Sequence, residues 1–184
     1  MRMRTMARTL VVAMLAVGFS AAMGSAAQAV VAPDPGTYYE LFLPGVSSSE
    51  CLDVPSGSAG VVAIQMFHCH GYASNGAPQL WNVFYVGNDG AGRPMYEIFN
   101  KAGKGCIQPR STAFGSRIFQ GICNGDPQQE WALVSPFDPN RFMLVNEWTG
   151  QCLTTNGSTA NNTAVIQRTC DFDFYNSLQH WQLG

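Results

Sequence analysis

Six cysteines, at positions 51, 69, 106, 123, 152 and 170, are the residues of this chain best placed to do chemistry. They fall into pairs 18, 17 and 18 residues apart. Thiols so arranged can hold zinc or close disulfides. Zinc sites of the structural kind use close pairs such as Cys-x-x-Cys, and none occurs here. An even cysteine count in an exported chain is read first as disulfides. The matched spacing favours Cys51–Cys69, Cys106–Cys123 and Cys152–Cys170. Each bridge would close a loop worth roughly 3 kcal/mol in the chain-entropy model.

Other reactive groups offer less. His68 and His70 straddle Cys69 and could share a metal ion, but no third ligand stands near them in sequence. A glycosidase needs two carboxyl groups flanking a scissile bond, whereas Asp171 and Asp173 are merely neighbours along the chain. There is no Gly-x-Ser-x-Gly elbow, His-Glu-x-x-His helix or phosphate-cradling glycine loop. The expectation is a protein without enzymatic activity, cofactor or metal.

The elements that carry these groups repeat. Gln79-Leu80-Trp81, Gln129-Glu130-Trp131 and Gln179-His180-Trp181 stand fifty residues apart, and a fixed period of that size marks a repeated structural unit. The units span about 38–86, 95–134 and 141–184. In the first, β-type runs cover Tyr38–Leu43, Cys51-Leu52-Asp53 and Val61–Phe67, followed by the strand that holds the tryptophan. Turn-forming Gly, Asn, Asp, Ser and Pro separate the runs. Four runs in each of three units give about twelve short strands and an all-β fold, with no helical period. Trp81/Val83, Trp131/Leu133 and Trp181/Leu183 alternate so that each pair shares one face. Three such faces would bury three indoles in one core.

Residues 1–29 read as a signal peptide. Arg2, Arg4 and Arg8 precede the short apolar stretch Leu10–Phe19, and Ala27-Gln28-Ala29 fits a cleavage site. The stretch is too short for the roughly 20 residues of a spanning helix. The expected product is therefore a secreted, extracellular domain, 30–184, with no membrane span. Removing the leader leaves seven basic residues against twelve acidic, a net charge of −5. No Lys/Arg cluster remains, which argues against nucleic acid as a partner.

With this pattern assembled, the chain resembles the ricin-type β-trefoil lectin family. The resemblance rests on Cys51-Leu52-Asp53-Val54, on Ile64-Gln65-Met66-Phe67-His68-Cys69 and on the three Gln-x-Trp triplets. It implies a pseudo-threefold β-trefoil in which Trp81, Trp131 and Trp181 form the shared core. It also implies shallow pockets for galactose-like sugars, one per unit. By the family pattern Asp53 is the hydrogen-bond acceptor, Gln65 the amide and Phe67 the stacking aromatic, and Gln79 of the Gln-x-Trp triplet is counted with them as a sugar-binding residue. A carboxylate accepts from two neighbouring hydroxyls, an amide donates and accepts, and a ring covers the apolar C–H face of a sugar. Pro78 departs from the family, which favours Asn before the Gln, so Asn75 is the candidate for the missing amide.

The units differ where it matters. Gln108 and Gly121 stand in the second unit where the first has Asp53 and Phe67, and Thr154 and Arg168 stand there in the third. Only the first unit keeps the set, so the resemblance implies a glycan-binding protein working mainly through unit one. The alternative is a degenerate trefoil that serves as a protein-interaction or toxin-accessory subunit without a sugar site. Trp148 and the run Asp171-Phe172-Asp173-Phe174-Tyr175 lie outside the repeated pattern. Local packing is the expectation for both, since aromatics more often pack than bind.

Overall fold

The computed structural model describes residues 32–45, 50–71, 77–172 and 178–184. Thirteen strands account for nearly all regular structure in these segments. The first unit holds β1 (Tyr38–Phe42), β2 (Glu50–Asp53), β3 (Val62–Ala63), β4 (Gln65–His68) and β5 (Leu80–Asn88). The second holds β6 (Pro94–Asn100), β7 (Cys106–Pro109), β8 (Ile118–Gly121) and β9 (Glu130–Asp138). The third holds β10 (Arg141–Asn146), β11 (Cys152–Thr155), β12 (Val165–Arg168) and β13 (Gln182–Leu183). Short 3₁₀ turns at Pro55–Gly57 and Ala77–Gln79 are the only helical pieces among the described residues.

Six strands close a ring. β1 pairs β5, β5 pairs β6, β6 pairs β9, β9 pairs β10, and β13 pairs β1, all antiparallel. The remaining join, β10 to β13, is made by the Phe142–Trp181 bridge, with backbone bonds of 3.0 and 2.7 Å. Closure leaves few unpaired edges. The hairpins β2–β4, β7–β8 and β11–β12 cover one end of this barrel. They touch one another through β3 on β8 and through the bridges Gln65–Ala164 and Arg117–Ile166. A six-stranded barrel capped by three hairpins is a β-trefoil. The run expected at Val61–Phe67 is interrupted at Ile64, because its two halves pair with different partners, β8 and β2.

The core lies on the axis. Trp81, Trp131 and Trp181 are fully buried with Val83, Leu133 and Leu183 against the same cluster, as the alternation requires. A buried indole needs an acceptor for its N–H. All three find the same one, the carbonyl after the first cysteine of their own unit: Leu52 at 2.9 Å, Ile107 at 3.0 Å and Leu153 at 3.1 Å. Each tryptophan thereby fixes its hairpin to the barrel. The disulfides are Cys51–Cys69, Cys106–Cys123 and Cys152–Cys170, the pairing that the spacing favours.

Candidate functional site

The glutamine of each Gln-x-Trp triplet grips the backbone on both sides of the second cysteine. Gln79 donates to His68 O at 3.0 Å and accepts from His70 N at 2.8 Å. Gln129 does the same with Ile122 O and Asn124 N, and Gln179 with Thr169 O and Asp171 N. All three are buried. This clamp holds the end of each hairpin over the residue that follows the first Cys-Leu or Cys-Ile pair, and at that residue the units diverge.

In unit one that residue is Asp53. It faces Gln65 across the β2–β4 ladder and accepts a hydrogen bond from the Gln65 amide at 2.8 Å. Burial pushes its carboxyl above the usual carboxylate range, opposed by hydrogen bonds from Gln65 and Gln79 and by the nearby His70. Two amide donors do not exhaust a carboxylate, which offers about four lone-pair sites. Phe67 is half-buried and two residues further along β4. The exposed His70 ring meets its edge, with centroids 5.5 Å apart. Asp53, Gln65, Phe67 and His70 therefore form one cluster with Gln79 as the buried brace behind it.

Pro78 turns its only polar backbone group inward, where its carbonyl accepts from Val54 N and from the Asn100 amide. A proline has no N–H to offer in return. Asn75, expected as the replacement amide, lies outside the described residues, as do Asp173, Phe174 and Tyr175.

The other two units lack this cluster. Gln108 accepts from Gln129 Nε2 at 2.6 Å. A Cβ added to Gly121 would lie 3.3 Å from the Gln108 side chain, so the amide occupies the room that a stacking ring would need. In unit three the Thr154 hydroxyl donates inward to Leu178 O at 3.0 Å. Arg168 sits over the Phe114 ring at 5.3 Å and reaches Asn156. Neither place presents a carboxylate.

In the sequence His70 reads only as a metal partner of His68. Its aromatic edge contact with Phe67 depends on the chain turning at the end of β4, which no local pattern signals. The two groups of His, Cys, Asp and Glu side chains that converge among the described residues are Glu40 with Cys51 and Cys69, and Glu97 with Cys106 and Cys123. Their sulfurs are closed in disulfides, so neither offers the thiolates that a metal takes. Trp148 and Phe172, expected to pack locally, are 42% and 52% exposed.

The ricin-type β-trefoil lectin domain model matches residues 42–183, from the end of β1 through β13. The chain belongs to this family. Its members are generally non-catalytic, and the family supports a carbohydrate-binding role. Among solved structures the designed threefold-symmetric protein ThreeFoil is similar at 25% identity and a TM-score of 0.67, over 79% of this chain and 96% of that one. The Macrolepiota procera ricin B-like lectin, solved in complex with lactose, aligns at 16% identity and a TM-score of 0.61, over 83% and 98%. The exo-β-1,3-galactanase of Clostridium thermocellum aligns at 21% identity and a TM-score of 0.65, over 83% of this chain. There the chain spans only 31% of the larger protein. A search of curated protein sequences returned no match.

Proposed function

We propose that this lectin-family protein is exported after removal of residues 1–29 and binds a galactose-type glycan at unit one, without catalysing a reaction. The observation that carries the reading is the Asp53–Gln65 pair at 2.8 Å beside Phe67. Asp53 accepts hydrogen bonds from two adjacent sugar hydroxyls. Gln65 holds the carboxylate and presents its own oxygen. Phe67 covers the C–H face, and His70 takes the polar role that Pro78 cannot fill. Gln79 contributes through Asp53 rather than by touching sugar. A reversed hydroxyl would leave a buried acceptor unmatched, which is the basis of selection among sugars. Units two and three bind no sugar in this way.

A glycan array probed with the protein tests this. Galactose-terminated glycans should be retained, and Asp53→Ala should lose them while keeping its melting temperature within a few degrees. An array without hits at multivalent density would favour a trefoil that acts through a protein partner. A single competent unit gives weak binding, so avidity from clustered copies or glycans is needed for tight attachment.

A further inference from the structure

A second departure from threefold symmetry lies away from the Asp53 cluster, on the outer face of the barrel. In unit one Glu40, the third residue of its opening strand run, accepts from the Gly71 N–H at 2.9 Å. In unit two Glu97 takes the same place and accepts from Gly125 N–H. Each glycine is two residues beyond the second cysteine, so each glutamate ties that segment to the barrel. Unit three has Met143 here, and the residue two beyond Cys170 is Phe172. A thioether gives no carboxylate for an N–H. The residue after the core tryptophan also changes, from Asn82 and Gln182 to Ala132.

Beside these exchanges lies an apolar pocket of about 650 Å³, between β6, β9, β10 and the segment after Cys170, with Ala132 in its lining. Ala132, Val134 and Val145 form its wall, and Tyr96 and Phe172 add aromatic rings. Met95 and Met143 continue the apolar layer beneath. Pockets that bury small ligands commonly measure about 300–1,000 Å³ and have this mainly apolar lining. A sugar would lose hydrogen bonds against such a wall. The mouth carries Arg93 and Glu147. Arg93 is committed to Asp89 through Nε, and its Nη2 stands 3.7 Å from Glu147. The guanidinium is thus engaged by Asp89 outside the pocket, and Glu147, the carboxylate in the lining, keeps room to accept a hydrogen bond.

We infer that this pocket is a second binding site, for a small aromatic molecule that is not anionic and bears a hydrogen-bond donor facing Glu147. The rings stack with Tyr96 and Phe172, and the body fills the space above Ala132. The site is independent of the glycan reading and stands whether or not unit one binds sugar.

Fluorescence titration with N-phenyl-1-naphthylamine, a neutral aryl amine with one N–H, tests the assignment on the purified protein. Saturable binding is expected, and it should be several-fold tighter than that of the 8-sulfonate of the same skeleton. Phe172→Ser alters an exposed side chain and Ala132→Leu fills space at the wall; each should weaken binding about tenfold. Val61→Ser, at a 74% exposed apolar residue elsewhere, should leave it unchanged. If Ala132→Leu does not fold, Phe172→Ser decides alone. Absence of saturable binding overturns the proposal, as does an affinity that Phe172→Ser leaves untouched or that Val61→Ser weakens equally. Dimerisation that Phe172→Ser abolishes, without fluorophore binding, assigns the pocket to a second copy of the chain and likewise overturns it.

Discussion

The Gln65 amide donates to the Asp53 carboxylate across the first hairpin at 2.8 Å, while the same cross-strand position pairs Phe119 with Gln108 and Ile166 with Thr154 in the other hairpins. One fold thus carries three copies of a scaffold and one copy of a polar site. The scaffold's cost falls on residues that all units share, and the chemistry falls on residues that only one unit has. Substitutions should therefore separate stability from binding.

Asp53→Asn should abolish glycan binding without lowering stability. Burial raises the Asp53 carboxyl above its ordinary value, so the folded state holds this charge at a cost. An amide of the same shape removes that cost and can still accept from Gln65. Thermal melting at neutral pH should give a Tm equal to or above that of the unaltered protein, with array binding lost.

The same shift sets a pH dependence. Glycan binding should fall on acidification at a pH above the ordinary carboxylate value of 3.8, because the protonated acid has lost an acceptor. For folding the sign is opposite. A folded-state pKa raised above the unfolded one means that the native state takes up a proton first, so this group's unfavourable contribution is relieved as pH falls through the raised value. Parallel glycan titrations and melts across the acidic range should show binding weakening where this contribution improves.

Gln129→Ala should destabilise the fold by about 2 kcal/mol, since it leaves the Ile122 carbonyl and Asn124 N–H without their partner. Chemical denaturation measures this directly. Glycan affinity should be unchanged, because Gln129 serves unit two. Equal losses of stability and affinity would mean that the units are not energetically separate.

Cys106→Ser with Cys123→Ser should cost roughly 3 kcal/mol, as expected for reopening a loop of this length. The protein should still fold around the three indoles and bind glycan at unit one. A melt that becomes non-cooperative would show that the disulfide, rather than the tryptophan clamp, defines the second unit.

Much of this architecture is legible in the amino-acid sequence alone. The fifty-residue step between Gln79, Gln129 and Gln179 carries the symmetry, and matched cysteine spacing carries the bridges, because both are local signals repeated three times. The contrast of Asp53 with Gln108 and Thr154 is also plain in line. What stays hidden depends on segments brought together by the barrel. Thr154 turns its hydroxyl to the Leu178 carbonyl, and Gln108 fills the room above Gly121; each is decided by a neighbour distant in sequence. The exchange of Glu40 and Glu97 for Met143 is plain in the sequence, yet its result is not. The apolar pocket beside it forms only where β6, β9 and β10 meet the segment after Cys170.

The most direct measurement is a lactose titration followed by two-dimensional NMR of the isotope-labelled protein. Saturable shifts should centre on Asp53, Gln65, Phe67 and His70, with the equivalent places around Gln108 and Thr154 unmoved. Absence of shifts up to tens of millimolar sugar, or shifts centred on the second or third unit, would contradict a binding site confined to unit one.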